Sequence, residues 1–318
     1  MLNLPKSVTV VEVGPRDGLQ SFPRWVDTDV KVRMIDRLSD AGFPVIEVTN
    51  FAHPRVIPNL KDAEEVVARI KRRPGTIYRA QAPNVKGAER CAATDCDEML
   101  GLITVSNSYL IKNQNMDRAT AIQQGIRSFE IAEKAGQRFV MAIGMALWCP
   151  YEGRIPESEA IAVARAYYEG GIRRMYFAGS VGMEDPRHVN TLFRMATDAM
   201  PDVEFGWHVH NLAGMATANI LAALDGGAQF IEGAICGLGG GIMMPTTMGS
   251  VGNFPSEDTV HMLNEMGVET GMDTVAVKQA ALDIAAMLAI EPRSHVTHAG
   301  TRADVQNKGK SNPRAHPD

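Results

Sequence analysis

Four cysteines in 318 residues (Cys91, Cys96, Cys149 and Cys236) are too few and too unevenly spaced for a disulfide framework or a thiolate zinc site. Cys91 and Cys96 have the look of a half-site, but no second pair follows, so ordinary packing is expected of them. This usage fits a reduced, cytoplasmic setting. A basic excess is also lacking: 32 Lys and Arg stand against 37 Asp and Glu, for a net charge of −5. Such a chain has little with which to neutralise a nucleic-acid backbone, and that partner class is not expected. No apolar run reaches the roughly 18–20 residues of a membrane span, so no membrane partner is expected either. The N-terminus passes from MLNLPK straight into a strand-like run, with neither a secretory layout nor an Arg/Ser-rich transit segment.

What remains is an ordinary globular composition, 45% hydrophobic and 22% charged, long enough for one large core. Short β-rich runs recur at 8–13, 45–49, 76–82, 99–105, 138–145, 174–178, 204–210 and 229–235. Amphipathic stretches separate them, for example 27–42, 116–136, 157–171 and 215–227. These stretches close on Gly42, Gly136, Gly171 and Gly227, and glycine takes the left-handed helix stop at low cost. Eight strands alternating with helices in about 290 residues predict a parallel sheet closed into one (β/α)₈ TIM barrel. An open doubly wound sheet is the second choice. Its G-x-G-x-x-G turn is absent after the first strand, which runs instead into GPRDGLQ. The barrel is assigned to residues 1–290, including an extra C-terminal helical region at 266–290. Residues 291–318 are polar, with Pro, Gly, Lys and Arg spread through them, and are expected to form a mobile tail.

In this architecture active sites lie at the C-terminal ends of the strands. The first strand delivers Arg16 and Asp17 to that mouth. They read as a fixed cation beside a metal ligand, or more simply as a turn with a surface ion pair. The second strand carries Glu47 among apolar neighbours, and a charge there needs a partner. Arg16 is the obvious one; a solvated strand-end carboxylate is the other reading. The seventh strand ends in His208-Val209-His210. Alternation sends both imidazoles to one face, which favours a metal clamp over two unrelated core histidines. The glycine-rich stretch from Gly237 to Gly241 reads as a mobile loop or a close backbone approach. Asn253 follows it as a neutral oxygen donor. Asp17, His208, His210 and Asn253 make a mixed oxygen and nitrogen set suited to Mg²⁺ or Mn²⁺ rather than a thiolate-loving metal.

The segments GPRDGLQ, EVTNF, CPYEG, the H-x-H pair, GLGG and GN followed by ED together resemble the 3-hydroxy-3-methylglutaryl-CoA lyase family. The resemblance runs from about residue 7 to 272. It implies Asp17, His208, His210 and Asn253 as metal ligands, Arg16 as the catalytic cation, Glu47 as its support and His208 as a second catalytic group. Gln20 and Asn50 would contact substrate. It also implies an acyl-CoA substrate and cleavage of a carbon–carbon bond by retro-Claisen chemistry. A homo-oligomer, a dimer or larger, is the expected assembly. Three positions depart from the family pattern. The cysteine after GLGG is replaced by Gly241-Ile242 in a loop about three residues longer. The strand-six GDTIG becomes Gly179-Ser180-Val181-Gly182. Asn211 follows the second histidine where the family has Asp. A substrate with a larger or more apolar tail would suit the changed loop around 241–244. The alternatives are a 4-hydroxy-2-oxo acid aldolase or condensing synthase on the same barrel, and a barrel that binds metal and acyl-CoA without turnover.

Overall fold

The computed structural model describes residues 2–243 and 250–311. Eight parallel strands form the wall: β1 (Thr9–Glu12), β2 (Val45–Asn50), β3 (Ile77–Gln81), β4 (Glu98–Thr104), β5 (Arg138–Gly144), β6 (Arg174–Gly179), β7 (Glu204–Val209) and β8 (Phe230–Gly233). They close in the order β1-β8-β7-β6-β5-β4-β3-β2. The expected TIM barrel is therefore what forms, with each predicted strand in place, the first two residues shorter and the last three residues shorter. The outward residues of the strands are apolar and pack under the surrounding helices. Phe177 of β6, for instance, stacks on Phe205 of β7 and meets Phe193 of the helix Pro186–Ala199 edge-on. Burial of such rings against the sheet fixes each helix to its strand.

The barrel interior is not wholly apolar. Glu47, Arg79, Glu98, Arg174 and Glu232 are all buried within it. Buried charges are retained only when each finds a partner. Here Arg174 pairs with Glu98 at 2.5 Å in the lower part of the barrel, and Arg79 pairs with Glu47 and Glu232 above it.

Two stretches differ from the sequence expectation. GPRDG is not a plain loop but one wide helical turn, Gly14–Gly18, in which Val13 O accepts from both Asp17 N and Gly18 N. Widened turns of this kind often mark functional sites. The second is the polar tail from residue 291, which carries helical turns that its composition does not suggest. Residues His295–Ala299 and Arg302–Ser311 are helical. The cause is specific: Asp258 accepts from Ser294 Oγ and from the backbone of His295 and Val296, each at 2.9 Å, and Val296 is buried. Lys278 holds Asp304 at 2.6 Å. Composition alone does not register a carboxylate placed 36 residues upstream. Residues 312–318 lie outside the described residues.

Candidate functional site

The turn Gly14–Gly18 carries Arg16 and Asp17 into the C-terminal mouth of the barrel, where both are buried. His208 closes the inner face of β7 and His210 follows just past its end. Asn253 is some forty residues further on, yet its backbone bridges to His210, and Phe254 N donates to Val209 O at 2.9 Å. That pairing extends the end of β7 by one strand-like segment and delivers Asn253 to the same point. Gly182 assists: at φ +74° it lets the loop after β6 pass so near His210 that a Cβ would sit 2.5 Å from the His210 carbonyl carbon. No L side chain fits there.

Asp17, His208 and His210 each offer a ligand atom, and all lie within 4.8 Å of one another. Nε2 of His208 is 3.0 Å from Nε2 of His210, and Asp17 Oδ2 is 4.0 Å from the latter. Asn253 Nδ2 donates to Asp17 Oδ2 at 2.8 Å and to Leu238 O at 3.1 Å, while its Oδ1 is buried without a partner among the described residues. Two facing imidazole nitrogens, a carboxylate and an orphaned amide oxygen are the donor set of a divalent cation site, so these residues fit one. Burial would raise the Asp17 pKa. Arg16, the two histidines and Asn253 outweigh it and hold the carboxyl down at about 2.

Behind this cluster each functional side chain is itself held. Glu232 Oε2 meets His208 Nδ1 at 3.1 Å, and the His208 ring stacks on Tyr176, centroid to centroid at 5.8 Å. Arg16 donates from Nε to Glu47 and from Nη1 to Asp17 Oδ1, the latter at 2.6 Å. Burial works against the Arg16 charge, but Glu47 and Asp17 more than restore it and raise its pKa above the usual value.

A cavity of roughly 130 Å³ opens onto Arg16, Asp17, His208, His210, Gln20 and Tyr176. Gln20 thus lies where a substrate residue was expected. Asn50 does not line this cavity; its amide donates to Gln20 Oε1 at 3.3 Å and to Gln81, which lines the wall. Glu47 is fully buried and reaches the cavity only through Arg16. Sequence reasoning does not find Arg79, Gln81, Tyr176 or Glu232. The signal was available for two of them: an arginine inside a predicted strand, and a glutamate on the next strand in direct register with His208.

The altered positions are also placed. Ser180 lines the cavity and its Oγ accepts from Met145 N at 2.9 Å. Asn211 Oδ1 accepts from Ala216 N at 3.0 Å at the start of the helix Ala216–Asp225. The glycine-rich stretch forms a strand, β9 (Gly239–Met243), antiparallel to β10 (Ser250–Gly252). The suggestion that this loop admits a larger tail concerns in part residues 244–249, which lie outside the described residues. Cys236 does not take the place of the loop cysteine: its Sγ points to Ala281 O at 3.2 Å, and burial pushes the thiol well up. No cysteine is among the described residues lining the cavity.

Comparison with known proteins agrees with this geometry. The HMGL-like family model matches residues 7–284. Mitochondrial hydroxymethylglutaryl-CoA lyase of Mus musculus is 34% identical over 299 residues, spanning 94% of this chain and 91% of the relative. An HMG-CoA lyase of Acinetobacter baumannii, solved in complex with coenzyme A and 3-methylmalate, superposes with a TM-score of 0.87 at 32% identity, covering 98% of each chain. The HMG-CoA lyase of Bacillus subtilis gives a TM-score of 0.88 at 32% identity over 93% of this chain and 98% of that one. With a family model matched over most of its length, and relatives this similar along nearly all of it, the chain belongs to the HMGL-like family of carbon–carbon lyases.

Proposed function

We propose that this chain cleaves 3-hydroxy-3-methylglutaryl-CoA, or a branched 3-hydroxyacyl-CoA close to it, with the help of a divalent cation, Mg²⁺ or Mn²⁺. The observation that carries the reading is the meeting of Asp17, His208 and His210 at one point beside the buried Arg16. The relatives named above act on this substrate, and one was solved with coenzyme A. When bound, a divalent ion at Asp17, His208, His210 and Asn253 would lower the pKa of the substrate's tertiary hydroxyl and neutralise negative charge that develops beside it.

The chain's own residues do the rest. A base takes the hydroxyl proton, the C2–C3 bond breaks and leaves its electron pair on the thioester fragment as an enolate, and a proton returned to the enolate carbon gives the acyl-CoA, with the keto acid as the other product. Arg16 faces that cavity with its guanidinium plane fixed by Glu47 and Asp17. A preset cation of this kind stabilises an enolate oxygen without reorganising during the step, an effect of about 3–4 kcal/mol per well-placed donor. Glu232 keeps the His208 ring in one orientation. Tyr176, Leu102 and Ala142 line the same cavity and limit water there.

A second cavity, about 290 Å³, borders the other side of the Gly14–Gly18 turn, between Phe22, Arg24, Leu238, Leu288 and Arg293. Its apolar walls and two arginines suit the long phosphate-bearing arm of an acyl-CoA. The test is direct. Purified protein is incubated with 3-hydroxy-3-methylglutaryl-CoA and with branched 3-hydroxyacyl-CoAs close to it, each with Mn²⁺ or Mg²⁺, and products are read by mass spectrometry. Metal-dependent release of acetyl-CoA and acetoacetate is the expected result. Intact substrate under every metal condition refutes the reading.

A further inference from the structure

Arg79 lies at the centre of β3 and is fully buried, and it does not line the cavity. Its guanidinium nevertheless sits between the two carboxylates that hold the site. Nη2 is 2.6 Å from Glu47 Oε2, and Nη1 is 2.8 Å from Glu232 Oε1. Each carboxylate gives its other oxygen to a residue at the mouth: Glu47 Oε1 to Arg16 Nε, and Glu232 Oε2 to His208 Nδ1. The chain of contacts closes on itself above, through His208 with His210 and Arg16 with Asp17.

We propose that Arg79 is a positioning residue: by gripping Glu47 and Glu232 with two separate nitrogens, it sets the aim of Arg16 and of His208 together. This rests on the reading of the site given under the proposed function. A counter-ion alone would need only a charge. The Glu47 arm is a hydrogen bond and the Glu232 arm an ion pair at 2.8 Å outside hydrogen-bond geometry, yet both start from nitrogens of one planar guanidinium, which fixes the spacing of the two carboxylates. A lysine keeps the charge but is a single point on a flexible stem and cannot hold both in that geometry. Carboxylates behind a metal-ligating histidine orient the ring, and disturbing such partners costs about 10–100-fold in affinity or activity.

The test compares wild type, Arg79→Lys and Arg79→Gln. Fold is read by circular dichroism and Tm, Mn²⁺ affinity by paramagnetic resonance of the free ion, and cleavage by kcat and KM. In a folded Arg79→Lys variant, kcat should fall at least tenfold with KM within twofold, and Mn²⁺ should bind at least fivefold more weakly. A folded variant with kcat and Mn²⁺ affinity within twofold of wild type overturns the proposal, as does a change in KM alone. If both variants fail to fold, Arg79 serves folding and the positioning role is overturned. Failure of the parent reading appears in the wild type itself. A wild type that binds Mn²⁺ but cleaves no 3-hydroxyacyl-CoA refutes the activity, and the affinity ratio still decides Arg79. A wild type that binds no Mn²⁺ overturns both.

Discussion

Glu232 Oε2 stands 3.1 Å from Nδ1 of His208, with both side chains buried inside the barrel. A proton shared along that line sits on Nδ1, which leaves the Nε2 lone pair facing His210 and Asp17. Burial would favour a protonated Glu232, but Arg79 and His208 hold its pKa below the usual carboxylate range. Glu232→Gln should therefore weaken binding of a divalent ion by about 10–100-fold while the protein stays folded. Titration calorimetry with Mn²⁺ checks this. Unchanged affinity would mean that the ring is oriented by Tyr176 alone.

Arg16 is the next case. Arg16→Met keeps the length of the side chain and removes its charge. Turnover of the proposed substrate should fall by about 10²–10³-fold, the usual cost of losing one preset donor to a developing oxyanion. Metal occupancy should persist, because Asp17, His208 and His210 are untouched. Parallel kcat and metal analysis separates the two effects. Near-normal kcat would remove Arg16 from the chemistry.

Much of this arrangement was legible in the sequence. Strand and helix periods gave the barrel, because they follow from alternation and 3.6-residue spacing along the chain. Arg16, Asp17, His208 and His210 could be placed at one mouth because strand ends in a barrel share a level. Arg79 and Glu232 could not be joined in the same way. They lie on strands 150 residues apart in the chain and meet across the barrel interior, and no local pattern encodes a distance through the lumen. The same limit explains the tail, whose helix His295–Ala299 depends on Asp258 rather than on its own composition.

Cys236 gives a prediction of little effect on catalysis. It follows β8, it adopts φ +60°, and its thiol is turned towards Ala281 O. Cys236→Ala should leave kcat and KM within about twofold. It should cost on the order of 1 kcal/mol of stability, from one weak hydrogen bond and a small loss of packing. Steady-state kinetics and a urea melt decide it. A large drop in kcat in a stable variant would instead give this thiol a part in proton transfer.

Metal dependence can be divided among the donors. Asp17→Ala and His208→Ala should each abolish bound metal by elemental analysis, since each removes one of three converging ligand atoms. Gln20→Ala should retain the metal and raise KM, because Gln20 lines the cavity but is not in the ligand cluster. Full occupancy in both ligand variants would rule out the assigned centre.

Three buried carboxyls with raised pKa values, Glu12, Glu257 and also Glu184, which burial lifts from 4.5 to about 7, predict how stability changes with pH. Glu12 accepts from Gly14 N at 2.6 Å and Ile235 N at 3.0 Å, and Glu257 accepts from Cys236 N at 3.1 Å. Burial is the main cause that lifts Glu12 from 4.5 to about 7 and Glu257 from 4.5 to about 8. A raised carboxyl pKa means that the folded state holds protons which the unfolded chain has already released. The stabilisation is complete below pH 4.5 and is lost as pH rises to about 8, where the curve flattens. Asp17 acts in a separate window, since its lowered pKa matters only as pH falls from 3.8 towards 2. The Tm of the metal-free protein, followed by calorimetry, should therefore decline between pH 4.5 and 8. Glu257→Gln, which keeps an acceptor for Cys236 N but cannot ionise, should make that decline shallower. An equally steep decline in the variant would show that the contacts of Glu257 offset its burial, so that it ionises in the native state as readily as in the unfolded chain.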